Sequence, residues 1–173
     1  MIKKYRVCNI ISGYNNEIYL IGNPNNYVWY SGKMWRVVSY DAITETTKLV
    51  TANPITSIYY NTNNKYSYYE SDVYNWLNNE FYNSLKEPTN FIIKSNWVSP
   101  DEKTTQGKVG LLTKDDFEKI KNWYGTSTSW LLSEGTGGIG YYSSNEVKTI
   151  STKTILGLRP VIILDDEVIC YEG

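Results

Sequence analysis

YVWYSGKMWRVVSYD, residues 27–41, decides how the rest of the chain is read. Three aromatics, Tyr27, Trp29 and Tyr30, lead into a tight Ser31-Gly32-Lys33 turn, and a second Trp and an apolar run follow. Two β-rich runs on either side of a Gly-containing turn make a hairpin. Trp35 and Val37 are expected to point into the core, with Trp29 a third candidate. Downstream, MWRVVSYD (34–41) and TKLVTA (47–52) predict a further antiparallel pair with alternating faces. Upstream, NPNN (23–26) is a turn, while EIYLIG (17–22) and YRVCNIIS (5–12) read as extended.

Two helices follow from apolar spacing. In SDVYNWLNNEFYNSL (71–85), Val73, Trp76, Leu77, Phe81 and Leu85 share one face, Ser71 is placed to cap and Asp72 suits the first turn. At about 114–124, Thr113 caps, Asp116 completes a capping box, Leu112 can staple to Phe117, and Phe117 and Ile120 face inward. SIYYNTNNKYSYYE (57–70) reads as a loop with one short strand. Residues 86–108 and 125–148 read as irregular, although Trp130-Leu131-Leu132 and Tyr141-Tyr142 look like hairpin partners. KTILGLRPVIIL (153–164) and EVICYE (167–172) read as two closing strands around an Asp165-Asp166 turn. No repeat or linker interrupts the chain, which is read as one domain, 1–173.

With 173 residues, 41% hydrophobic and 20% charged, the composition is that of a soluble globular domain. A net charge of −1 does not favour nucleic acid through bulk electrostatics. No apolar run is long enough for a transmembrane helix, so no membrane insertion of this domain is expected. Residues 1–20 lack a signal-peptide core, so either the protein is cytoplasmic or the sequence is a domain of a longer secreted chain with Met1 added; the second is preferred. His is absent, which removes the usual general base and the commonest metal ligand. No metal, cofactor or catalytic residue is expected.

The aromatic excess, 17 Tyr and 6 Trp against 3 Phe, suits half-buried sheet faces and binding surfaces alike. Trp97, Trp123, Tyr124, Tyr141 and Tyr142 lie in or beside the two irregular stretches and form, with Glu134, the expected ligand-binding set. Glu134 paired with Asp115 or Asp116 is the alternative, a carboxylate-dependent hydrolase. GTGGIG (135–140) has dinucleotide-loop spacing but extended residues after it, so it reads as a hairpin loop with Gly137 and Gly138 in unusual backbone angles. Glu87-Pro88-Thr89-Asn90 is similar to a lectin calcium loop with an inserted residue, and is read as coincidence because no second ligand set is evident. Cys8 and Cys170 are either a disulfide or two unrelated buried thiols. The disulfide is preferred, since domain termini are often close; closing so long a loop would contribute on the order of 5 kcal/mol and imply an oxidising compartment.

Several segments together resemble a bacterial domain family of Gram-positive and gut bacteria with a C-type-lectin-like fold. These are WRVVSYD, KLVTANPI, SDVYNWLNNEFYNSL, VGLLTKDDF, WLLSE and GLRPVIIL. NPNNYVWYSGKMWRVV is similar to a branch found in secreted or surface-anchored proteins. The resemblance spans roughly 17–165 and departs from the family at WLLSE, where many relatives carry Arg or Thr-Pro. It implies an α+β fold, C-type-lectin-like, with a mixed, mostly antiparallel sheet, two helices, long irregular loops and paired termini, the last in agreement with a Cys8–Cys170 bridge. It makes Trp35, Trp76, Leu77, Phe81, Trp130, Arg159 and Pro160 framework positions and places the variable loops at 86–108 and 125–147. Formylglycine-generating oxidases share that fold but need pocket cysteines, whereas Cys8 and Cys170 sit in terminal strands. The expectation is a non-catalytic extracellular or cell-surface module that binds a protein or glycan on another cell or matrix. A structural domain of a surface fibre or phage tail is the second reading.

Overall fold

The computed structural model describes residues 10–12, 17–22, 24–99, 102–125, 127–135 and 138–165. It begins with a run of antiparallel strands: β1 (Ile10–Ser12), β2 (Glu17–Leu20), β3 (Tyr27–Tyr30), β4 (Lys33–Asp41) and β5 (Thr46–Thr51). The 27–41 hairpin forms, but with a two-residue Ser31-Gly32 turn in place of the expected Ser31-Gly32-Lys33 turn, so that Tyr30 lies opposite Lys33 and Val28 opposite Trp35. Ser31 and Gly32 both take positive φ, 53° and 70°. That is the pair of angles a two-residue type I′ turn needs to match strand twist. Trp35 and Val37 are fully buried. Trp29 is not: Trp35 faces inward with Val28, so Trp29 falls on the other face beside Met34.

β6 (Thr56–Tyr59) precedes helix α1, residues 72–84, with Ser71 accepting from the Tyr74 N–H as its cap. The buried residues Val73, Leu77, Phe81 and Leu85 repeat strictly every four positions. Such a repeat runs ahead of an α-helix of about 3.6 residues per turn. Over Trp76–Phe81 the helix widens to π form, in which the Tyr82 N–H reaches back to the Leu77 carbonyl, and all four side chains stay on the core side. The carbonyls at the entrance to this segment are served by side chains: Asn78 donates to Tyr74 O and Asn79 to Asn75 O.

The expected irregular stretch 86–108 instead holds α2 (Pro88–Phe91) and a small hairpin, β7 (Ser95–Val98) with β8 (Thr104–Gly107). β9 (Val109–Gly110) leads to α3 (Lys114–Tyr124), whose capping box at Thr113 and Asp116 is complete. The second expected loop, 125–147, is largely sheet: β10 (Ser129–Gly135) and β11 (Gly138–Ser143) pair, and β12 (Glu146–Ile150) adds to β11. Gly138 lies in β11 without positive φ; its lack of a side chain admits the Ile150 backbone, which an added Cβ would strike. Gly137 lies outside the described residues.

The run 153–164 is two strands in two sheets. β13 (Ile155–Leu158) pairs with β6 and β10, and β14 (Val161–Asp165) pairs with β5 and β9. Pro160 has no N–H to continue a ladder, and the chain crosses between sheets at Arg159-Pro160. One sheet therefore runs β1-β2-β4-β5-β14-β9, with β3 attached to β4; the other runs β12-β11-β10-β13-β6. Among the described residues the parallel pairings are β10 with β13 and the isolated Thr113–Leu132 bridge. The fold is α+β with mostly antiparallel sheets. β1 and β14, the first and last described strands, have β2, β4 and β5 between them. The 167–172 strand, the pairing of the termini and the Cys8–Cys170 bridge lie outside the described residues.

Candidate binding surface

The expected ligand-binding aromatics are mostly core. Trp97, Trp123, Tyr124 and Tyr142 are buried, and a ring with no free face cannot stack on a ligand. Trp97 lies flat on Gly110, where an added Cβ would come within 2.2 Å of its ring. Tyr142 stacks on Phe117 at 5.0 Å and meets Tyr124 at 4.7 Å. Tyr141 is half-buried, opposite Trp130 and Lys148. The Glu134 backbone pairs with Ile139 in the β10–β11 hairpin; its side chain is not among those described. Of the expected framework positions, Trp35, Trp130 and Arg159 are buried, and Trp76 is half-buried and stacked on Phe81.

What closes the expected site is a pair of arginines at the end of α3. Arg159 donates to Thr51 O, Ala52 O, Tyr124 O and the Tyr142 hydroxyl, with its guanidinium 3.6 Å from the Tyr124 ring centre. Arg36 donates to Asn26 Oδ1, Pro24 O and Trp123 O. The last two residues of the helix thus each give their carbonyl to a guanidinium, at the end where the helix dipole favours cations. Burial pulls the Arg36 pKa below its usual value; Tyr27 opposes this and the Arg159 charge reinforces it. Burial raises the Tyr124 pKa by more than Arg159 lowers it.

Arg36 also links the interior to an exposed surface. Its guanidinium lies between the rings of Trp123, at 4.2 Å, and Tyr27, at 4.5 Å. Tyr27 and Trp29 are two apart on β3 and share a face, with Met34 directly opposite Trp29. α3 covers this face as far as Arg36. Beyond it Tyr27, Trp29 and Met34 are 42%, 68% and 40% exposed. They form a short aromatic strip on a rigid hairpin, with Tyr27 held in place by the stacked guanidinium. The length of the turn decides this: a three-residue turn at Ser31-Gly32-Lys33 would set Trp29 opposite Trp35, whereas the two-residue Ser31-Gly32 turn sets it opposite Met34 and outward.

The titratable groups gather at the other end of α3. Tyr19, Ser39 and Lys48 are neighbours across β2, β4 and β5. Lys48 Nζ lies 2.7 Å from Glu17 Oε1 and 3.4 Å from Asp116 Oδ1. The Tyr19 hydroxyl lies 2.6 Å from Asp116 Oδ1, and Asp116 Oδ2 accepts from the Thr113 N–H. Burial alone would raise the Asp116 pKa, but Lys48, Tyr19 and Thr113 outweigh it and hold the carboxyl below its usual range. Burial likewise opposes charge on Lys48, and Asp116 and Glu17 reverse that, raising its pKa. Asp116 Oδ1 thus ties α3 to the sheet, while Oδ2 closes the helix's own capping box. Among the described residues no cluster of side chains could hold a metal ion. No described helix is long and apolar enough to cross a membrane. Comparison with known proteins finds no matching family, no matching curated protein and no matching solved structure.

Proposed function

We propose that this chain is a non-catalytic binding module of C-type-lectin-like fold, working outside the cell or at its surface on a protein or glycan of another cell or matrix. The observation that carries this reading is the uncovered strip of Tyr27, Trp29 and Met34. Trp, Tyr, Met and Arg are the residues enriched in interface cores and hot spots, and here they stand on a strand held at its base by Arg36. Large apolar side chains grouped on an otherwise polar surface mark interaction sites more often than singly scattered ones do. The partner-facing surface is thus moved from the 86–108 and 125–147 segments to the outer face of the central hairpin. The mostly antiparallel α+β architecture is compatible with the lectin-like fold.

Trp29→Ala tests the reading. Wild type and variant are compared on glycan arrays and on surface-protein extracts of candidate host and bacterial cells. The reading expects a partner that wild type retains and the variant loses by tenfold or more, with unchanged thermal melting. Binding that is indifferent to Trp29→Ala and Tyr27→Ala removes it. Thiol titration of the denatured, unreduced protein tests the compartment: a Cys8–Cys170 bridge leaves no free thiol, whereas a cytoplasmic chain shows both.

A further inference from the structure

β3 is an edge strand whose ladder with β4 is the only one it makes among the described residues. The two-residue turn makes Tyr30–Lys33 and Val28–Trp35 the hydrogen-bonded pairs, so Tyr27 and Trp29 turn their backbone N–H and C=O away from β4. The partner strand confirms this parity, because the Met34 carbonyl, opposite Trp29, accepts from Ala52 on the far side of β4. Edge strands are usually guarded by charge or proline. β12, at the edge of the other sheet, has exposed Glu146 and Lys148, while YVWY in β3 has neither charge nor proline.

We propose that the β3 edge pairs with β3 of a second copy of this chain. The register is self-complementary. With Val28 opposite Val28 of the partner on a two-fold axis, Tyr27 of each copy lies opposite Trp29 of the other, and each of these pairs exchanges both of its backbone hydrogen bonds. The same register sets a Tyr ring beside a Trp ring twice on the outer face, an arrangement that stabilises antiparallel pairs. It joins the two exposed strips into one aromatic surface and leaves the outer face open. So short an edge supports a weak dimer, well below a standard interface, that forms at high protein concentration. The inference does not depend on the proposed ligand.

Sedimentation equilibrium on the purified full chain, without added partner, is the test, together with amide exchange at increasing concentration. A dimer is expected at high concentration, with exchange at the Tyr27 and Trp29 amides slowed at least tenfold relative to dilute protein and the Val28 amide equally protected in both. Tyr27→Pro removes one outward N–H per copy, and Trp29→Lys sets a charge in the pairing; each is expected to shift the mass back to monomer with an unchanged circular dichroism spectrum. A monomer at all concentrations overturns the proposal. So does a dimer that survives both variants, or one that leaves the Tyr27 and Trp29 amides exchanging freely.

Discussion

The end of α3 and the outer face of the β3–β4 hairpin are made of the same parts, a guanidinium stacked on aromatic rings, with opposite results. Around Arg159 the rings of Tyr124 and Tyr142 are enclosed, and every contact is internal. Around Arg36 one ring, Trp123, is enclosed and the other, Tyr27, is open. Apart from the half-buried Trp76, the tryptophans divide the same way. Trp35, Trp97, Trp123 and Trp130 are buried, and each donates its indole N–H to a backbone carbonyl. Burying an indole requires a partner for its N–H, and these four fasten loops and strands to one another. Trp29 is exposed and makes no such tie among the described residues. Aromatic content alone therefore does not mark a binding surface; what covers the second face of the ring does.

If the two arginines differ as this contrast says, removing them should differ too. Arg159→Leu strands the carbonyls of Thr51, Ala52 and Tyr124 in the core, and a loss of about 3–5 kcal/mol is expected by chemical denaturation. Arg159→Lys keeps the charge but not the fork, and should recover less than half of that loss. Arg36→Ala strands the Trp123 carbonyl beside a surface that water can reach, and about 2 kcal/mol is expected. Equal losses at the two positions would break the distinction between a closed and an open end.

The opposite end of α3 supplies a pH test. The folded Asp116 pKa lies below its unfolded value of 3.8, so the unfolded state binds more protons in that window. Its contribution is fully present above the unfolded value and is lost as pH falls through the folded one. Lys48 and Tyr19 are raised above their ordinary values, so their contribution is present up to about pH 10 and is lost as pH rises further. Asp116→Asn should cost about 2 kcal/mol at neutral pH and flatten the acid limb of a stability–pH curve. An acid limb unchanged by the substitution would show that the network does not hold α3 to the sheet.

Much of this was readable from residues, and the failures share a cause. Helix caps at Ser71 and Thr113, the 27–41 hairpin and the 34–52 strand pair rest on local chemistry, and they form where that chemistry puts them. Arg159 was recognisable as a framework position, but its carbonyl partners come from Thr51, Ala52 and Tyr124, far off in sequence. Residues 86–108 and 125–148 looked irregular because their strands are short and polar on one face; Trp97 and Tyr142 are drawn inside by Gly110 and Phe117, which no local pattern connects to them. The π segment was hidden for a different reason. WLNNEF has an ordinary helical composition, and only the strict four-residue repeat of Val73, Leu77, Phe81 and Leu85 hints that the helix must widen.

The smallest expected effect on stability is the one that bears most on function. Trp29→Ala removes a large side chain that touches little, and surface changes of that kind usually stay within about 0.5 kcal/mol. Trp35→Ala, six residues along the same hairpin, empties a buried site and should cost about 3–5 kcal/mol. A side chain that can be deleted without loss to the fold has no structural reason to be a tryptophan, whereas one that holds the core does. Denaturation midpoints for the two variants, measured side by side, make that difference quantitative. Should Trp29→Ala destabilise as much as Trp35→Ala, the outer face belongs to the core, and the strip of Tyr27, Trp29 and Met34 has been misread as a surface.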